Sequence, residues 1–337
     1  MKKKSKYNVI VVGVGAVGIE MLRILKLRKF PIDKLRVLAR SEREIEVDGD
    51  KYQVEAIGAD KFDGYDIALF AGTEGEKGAA VTFAPEAKKS GCLVIDNGAD
   101  FRMAKDVPLV VPEANGEDAK ANNGIIANPN CTTIQMMVAL APIHREYGLE
   151  QIVVSSYQAA SGAGRSAIAE LSSQIKEIAE GKPVSAPEAM NHQLAGNVIP
   201  QIGGFSDLEY TSEEWKCVKE TKKILHDDEI KVTATCVRVP VANCHSEAIW
   251  IKTKKNPSVA DIRKLLGSSA SIKLVDNPEK SEYPMALNVS GQDDVYVGRV
   301  RKDPSIDGAF WLWVVADNLR KGAALNAIQI AEYLINA

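Results

Sequence analysis

The chain has no CxxC pair, no uninterrupted apolar run of membrane-spanning length, no internal repeat and no low-complexity segment. A spanning helix needs about 20 consecutive apolar residues, so a membrane partner is not expected. Charge of neither sign prevails. The 42 basic and 45 acidic residues leave a net charge of -3, spread rather than blocked, and that leaves no footprint for nucleic acid or another polyanion. Cysteine is sparse, with five irregularly spaced residues in 337. Such a pattern excludes a disulfide-stapled scaffold and fits reduced thiols in a cytoplasm. Only Cys236, Cys244 and His245 crowd together as conceivable metal ligands, and no metal is expected.

The opening "MKKKSK" followed by "VIVVGVGAVGI" imitates the basic and apolar regions of a signal peptide. Three glycines at fixed spacing, then Glu20 and Arg23, contradict that reading, and no small-x-small cleavage site is evident. A cytoplasmic protein is the expectation.

At 337 residues, two domains are expected rather than one core. Short apolar runs at 7–13, 35–40, 66–72, 92–98, 109–115 and 124–130 each read as a buried strand ending in a turn. Continuous Val/Ile/Leu runs suit strands covered by helices on both faces. Between the first two, Ile19, Leu22, Ile24 and Leu25 recur at helical spacing. This is a Rossmann-type, doubly wound parallel α/β pattern. Beyond a helix over 132–147, strand signals lengthen and alternate. The runs "DVYVGRVRKD" and "GAFWLWVVAD" suggest a hairpin. An α+β domain with a mixed or antiparallel sheet is expected there. The boundaries are 1–130 for the first domain, completed by a C-terminal helix over 318–337, and 131–317 for the second. The Pro/Gly-rich stretch 181–207 reads as a surface excursion.

Gly13-x-Gly15-x-x-Gly18 follows the first strand and opens the first helix. The first glycine makes the turn, the second admits a pyrophosphate to the backbone, and the third lets helix and strand pack closely. The helix N-terminus then supplies N–H groups and a positive dipole end. Dinucleotide binding follows, with Gly13, Val14, Gly15, Ala16, Val17 and Gly18 as the cradle. The second strand ends in Arg40-Ser41, where an NAD-preferring site carries an acid. Arginine attracts a ribose 2′-phosphate, so NADP is the expected cofactor; a solvated surface arginine is the plainer alternative.

In "NPNCTTIQMM", Cys131 stands between a Pro-Asn turn and a helix-like run. A thiol at a helix N-terminus feels the positive dipole end, which favours its thiolate. Position alone leaves nucleophile and buried packing residue equally open. The base must come from four histidines. His144 lies more than three turns along the helix that Cys131 starts, and His226 resembles a solvated turn residue. His192 sits in the loop-rich excursion. His245 follows a long strand carrying Arg238 and begins the next, where it could equally be a hydrogen-bonded structural residue.

The stretches "NPNCTTIQ", "YQAASGAG", "EEWKCVKETKKIL", "RVPVANCHSEA" and "VADNLRKGAALNAIQIAEYL" together resemble the bacterial aspartate-β-semialdehyde dehydrogenases, nearly end to end and in family order. The resemblance implies NADPH-dependent reduction of L-aspartyl-4-phosphate to L-aspartate-4-semialdehyde and phosphate, the branch point toward lysine, methionine and threonine. It implies Cys131 as the thioester-forming nucleophile, His245 as acid/base partner and Gln158 as a positioning residue. Arg238 would bind the substrate α-carboxylate and Glu213 its amino group. Arg102, Lys216 and Asn130 would hold phosphate, while Ser161, Gly162 and Asn318 would contact the cofactor. A homodimer formed through the second domain is also implied.

Glu213 and Lys216, three apart, would share a helix face; in isolation they read as an exposed ion pair. The family usually has two residues between its first two loop glycines, whereas Val14 stands alone here. Cys244 replaces the glycine common before the catalytic histidine. Rival readings are another acyl-phosphate reductase, such as N-acetyl-γ-glutamyl-phosphate reductase or a glyceraldehyde-phosphate-type dehydrogenase, and a catalytically silent nucleotide-binding homologue. The Glu213/Lys216 pattern and "DNLRKGAALN" favour the aspartyl substrate. The joint presence of Cys131, Gln158, Arg238 and His245 argues against a silent homologue.

Overall fold

A computed structural model describes residues 3–71 and 78–337. Two compact units emerge, one of residues 1–130 with Ala323–Ala337 and one of Cys131–Gly322. Residues 318–322, assigned above to the first domain, lie in the second unit.

In the first unit, β1 (Tyr7–Val12), α1 (Ala16–Leu27) and β2 (Ile32–Ala39) form the opening β-α-β. A hairpin follows, β3 (Arg43–Val47) and β4 (Asp50–Ala56), then β5 (Ile67–Phe70), α2 (Ala79–Lys89), β6 (Leu93–Asp96), α3 (Pro112–Asn115) and β7 (Ile125–Ala127). The sheet order is β3-β4-β2-β1-β5-β6-β7. Only the β3–β4 pairing is antiparallel. Chain order reverses across β1, whose neighbours are β2 and β5, and this opens a crevice at the strands' carboxyl ends. Val9 and Val11 of β1 join Met21, Leu22 and Leu25 of α1 in a core completed by Leu325, Ile328 and Ala331 of the C-terminal helix Leu325–Asn336. Arg28 binds Glu332 on that helix through two hydrogen bonds of 2.8 and 2.7 Å.

Two expectations need correction here. The run 109–115 is not a strand: Leu109 bridges Ala127, and Pro112 then opens α3. Proline has no N–H for a ladder but suits a helix's first position. The β3–β4 hairpin was not anticipated. Its Asp48-Gly49 turn has φ of 52° and 84°, the pair of positive values that a type I′ turn requires. Gly72, the end of the expected run 66–72, lies outside the described residues.

The second unit begins with α4 (Cys131–Tyr147), β8 (Leu149–Gln158), α5 (Arg165–Ala179) and α6 (Ser212–Leu225). It continues with β9 (Lys231–Arg238), β10 (His245–Thr253), α7 (Val259–Ser268), β11 (Ile272–Leu274), α8 (Ala286–Val289), β12 (Val295–Lys302) and β13 (Ala309–Ala316). The sheet is mixed, in the order β11-β12-β13-β10-β8-β9, with β8–β9 and β11–β12 parallel and the other pairs antiparallel. Every residue of α4 from Thr132 to Ile143 is buried. A helix covered all round belongs in a core, and α4 packs against α6, α7 and the sheet.

The 181–207 excursion is anchored rather than superficial. Leu194, Ala195 and Ile199 are buried against Ala160, Ala167 and Leu171. Gln174 Oε1 accepts from the N–H groups of Leu194 and Ala195, both at 3.0 Å. Ile199 exchanges two backbone hydrogen bonds with Arg238, which ties the excursion to β9.

Candidate active site

The second unit gathers its reactive side chains where elements begin or end. Cys131 is the first residue of α4, Gln158 the last of β8, Arg238 the last of β9, His245 the first of β10, and Glu213 the second of α6. Parallel pairing aligns Gln158 with Arg238. Because β10 runs antiparallel to β8, its start lies at the end of β8. Side chains at such ends can be buried while remaining open toward a ligand.

Cys131 is partly exposed, whereas Cys92, Cys217, Cys236 and Cys244 are buried. Burial pushes the Cys92 thiol up to about 12 and raises that of Cys244, while a hydrogen bond with Cys236, and then burial, raises that of Cys217, so these three remain protonated. A side chain on Gly322 would bring its Cβ to 3.1 Å from Cys131 Cβ, so this glycine leaves room at the thiol.

Gln158 Nε2 approaches Thr132 Oγ1 at 2.8 Å, Ser156 Oγ at 3.2 Å and Glu213 Oε1 at 3.3 Å. It thereby links the residue after Cys131 to the start of α6. Glu213 is buried, and its Oε2 lies 3.4 Å from Lys216 Nζ. The ion pair expected on one helix face is therefore present, but not as an exposed pair.

Arg238 is buried, and its Nη1 donates to the Ala159 carbonyl at 2.6 Å. Burial lowers its pKa, while the negative charges of Glu213 and Cys131 act in the opposite sense. His245 is fully buried, and its Nδ1 accepts the Ala159 N–H at 3.1 Å. That contact puts the neutral ring's proton on Nε2, which has no hydrogen-bond partner among the described residues. Burial first, and then Arg238, pull the His245 pKa down to about 3. At neutral pH the ring is therefore an uncharged Nε2–H donor. A Cβ on Gly162 would stand 3.0 Å from Arg238 Nη1 and 3.1 Å from His245 Nε2, so glycine keeps the space before both groups clear.

Ser161 Oγ lies 2.9 Å from Asn318 Oδ1, and this oxygen also accepts the Cys244 N–H at 3.1 Å. Cys244 has φ of 73°, in the left-handed region that favours glycine. Asn243, whose Oδ1 lies 3.0 Å from Ser161 Oγ, Gly322 and the backbone of Ala159 went unrecognised in the sequence. Their contributions come through contacts distant along the chain, which no local motif signals.

In the first unit, Arg102 is buried, donating through Nε to the Asn128 carbonyl at 3.0 Å and through Nη2 to that of Asn97 at 2.7 Å. Asn130 is buried too. Gly13 has φ of 99°, and a Cβ on Gly18 would lie 1.9 Å from the Gly13 carbonyl oxygen, while one on Gly15 would meet nothing within 4 Å. Among the described residues no side chain caps α1, and its N-cap Gly15 lines a cleft of about 570 Å³. Gly13, Val14, Gly15, Arg40, Ser41 and Arg43 are among its lining residues. The open second glycine, the tight third one and the helix N-terminus fit a dinucleotide.

A Rossmann unit and a mixed-sheet unit with a cysteine at a helix start define a two-domain nucleotide-dependent oxidoreductase of the semialdehyde dehydrogenase class. Residues 8–122 match the family described as semialdehyde dehydrogenase, NAD binding domain, and residues 140–321 match its dimerisation domain. The chain is 48% identical to the aspartate-semialdehyde dehydrogenase of Aquifex aeolicus, with 98% of each chain covered. It is 45% identical to that of Bacillus subtilis, with 97% of each covered. The crystal structure of aspartate semialdehyde dehydrogenase II from Vibrio cholerae, complexed with ASA, superposes with a TM-score of 0.93 at 43% identity, over 99% of both chains. The chain belongs to the aspartate-semialdehyde dehydrogenase family.

Proposed function

We propose that this enzyme reduces L-aspartyl-4-phosphate to L-aspartate-4-semialdehyde and phosphate with NADPH, on the route to lysine, methionine and threonine. The observation that carries the reading is the convergence of Cys131, Gln158, Glu213, Arg238 and His245 at strand ends and helix starts. The Cys131 sulfur attacks the acyl carbon and phosphate departs with the bonding pair, leaving a thioester. The α4 N-terminus favours the attacking thiolate. Arg238 takes the substrate α-carboxylate, for which its planar fork is suited. Glu213 takes the amino group, and Gln158 orients the reacting carbonyl.

His245, neutral with Nε2–H outward, donates to the negative charge that develops during acyl transfer. Lys216 would neutralise the departing phosphate. For Arg102 and Asn130 the family resemblance alone supports that role. Bound NADPH supplies the hydride. The Gly13–Gly18 loop would hold its pyrophosphate and Arg40 and Ser41 its 2′-phosphate, and Ser161, Gly162 and Asn318 would contact the cofactor. A cysteine set of thiols supports a cytoplasmic location, and the dimerisation-domain match supports a homodimer. Among the described residues no helix is long and apolar enough to cross a membrane.

The test is the reverse reaction with aspartate semialdehyde, phosphate and NADP⁺, followed by absorbance of the reduced cofactor. A phosphate-dependent signal is expected. Folded protein giving none with NADP⁺ or NAD⁺ would sink the proposal.

A further inference from the structure

We propose that Arg43 is a second cation for the cofactor's 2′-phosphate, so that selection of a phosphorylated ribose rests on Arg40 and Arg43 together. The inference builds on the NADPH reading above. Its first support is topological. The antiparallel β3 starts beside the carboxyl ends of β2 and β4 and then runs away from them. Nucleotides bind at the carboxyl ends of such strands, and of the five residues of β3 Arg43 alone lines the cleft that contains Gly13, Gly15, Arg40 and Ser41.

Hydrogen bonding gives the second support. Arg43 Nη1 donates to the Ser41 carbonyl at 3.1 Å and to Ser41 Oγ at 3.0 Å. These bonds tether the guanidinium to the residue already assigned beside the 2′-phosphate. Nε and Nη2 meet no acceptor among the described residues, so part of the planar fork remains for a phosphate.

The surrounding charge agrees. Among the described residues no carboxylate pairs with Arg43. Glu44, next along the strand, is occupied by Lys51 at 2.9 Å and Gln53 at 2.7 Å. Across the ladder Arg43 faces the apolar Val54. An arginine serving only the hairpin would be expected to pair with one of the neighbouring acids. This one is held by a hydroxyl and a carbonyl that leave its charge uncompensated.

Binding, rather than turnover, tests the proposal. Dissociation constants for NADPH, NADH, adenosine 2′,5′-bisphosphate and 5′-AMP would be measured by calorimetry on the wild type, Arg40→Ala, Arg43→Ala and Arg43→Lys. Circular dichroism would check each fold. Arg43→Ala should weaken NADPH and the bisphosphate about tenfold, as for loss of one charge-assisted contact. NADH and 5′-AMP should be unchanged, and Arg43→Lys should recover part of the loss. Unchanged NADPH binding in Arg43→Ala, with Arg40→Ala impaired, overturns the role of Arg43 and leaves the cofactor reading standing. An equal loss for NADPH and NADH overturns it as well, because the defect would then lie in the loop. Wild-type protein binding both cofactors equally overturns the inference together with the NADPH reading.

Discussion

Cys131 meets two conditions that a packing cysteine does not need: partial exposure, and the first position of a buried helix. Cys131→Ala should lower phosphate-dependent turnover by roughly 10³-fold or more with the melting temperature unchanged. Retention of a tenth of the activity would return the residue to packing. His245 makes a different prediction, because its folded pKa of about 3 lies below its ordinary value near 6.5. The unfolded chain therefore takes up a proton that the folded chain refuses. The associated stability is fully present above pH 6.5 and is lost as pH falls from there toward 3. Between pH 7.5 and 5.5 this amounts to about 1.4 kcal/mol for one histidine. Urea denaturation at both pH values should show that increment disappearing in His245→Gln. An identical pH dependence in the two proteins would contradict the buried neutral ring.

Cys244 tests backbone strain at the same scale. A non-glycine residue in the left-handed region costs of order 1 kcal/mol, and alanine would keep that cost where glycine relieves it. Cys244→Gly should therefore be more stable than Cys244→Ala by about 1 kcal/mol, the reverse of the usual order. Chemical denaturation of the pair decides it. The resemblance gave the family's glycine at this position; that it answers a backbone angle became visible only with φ.

At the scale of elements, the strongest local signals transferred well. The glycine loop stood between a strand and a helix, as its spacing required, because Gly13 answers a positive φ and Gly18 a close approach to the Gly13 carbonyl. Gly18→Ala should destabilise the protein by about 1–3 kcal/mol and weaken both NADPH and NADH binding, since its Cβ would strike the Gly13 carbonyl. Thermal melting with and without cofactor checks both halves; a stable variant with normal binding would mean that the loop is looser than its geometry implies. Less legible was the β3–β4 hairpin, whose edge strand alternates charged residues with only Ile45 and Val47 as apolar members. Its Asp-Gly turn was the available sign. The run at 109–115 misled for the opposite reason: its apolar residues are buried, but Pro112 stops strand pairing. The 181–207 excursion was underrated because its anchors are single residues, Leu194, Ala195 and Ile199, without periodicity.

For the whole molecule, the mixed sheet and the discontinuous first unit matter most. Tyr157, Tyr283, Met285 and Leu287 on the second unit are large exposed apolar side chains, and Tyr157 packs against Trp313 with ring centroids 5.6 Å apart. Tyr283, Met285 and Trp313 help line a cavity of about 600 Å³. Exposed apolar area of this kind marks association surfaces. Sedimentation at micromolar concentration should give a dimer, and Met285→Asp should shift it toward monomer. A wild-type monomer would count against the assembly. The two units were foreseeable from the change in strand character near Cys131. The parallel β8–β9 pair was not, because sequence alternation reports burial rather than strand direction.

The return of the C-terminal helix to the first unit has a consequence for biogenesis. Leu325, Ile328 and Ala331 are core residues of a unit whose other strands are synthesised before the whole of the second unit. During translation the nucleotide unit must therefore wait with an apolar face uncovered while the second unit emerges and folds. Closure depends on contacts of very large sequence separation, which are slow to form. Completion of that core thus waits until the helix Leu325–Asn336 has left the ribosome.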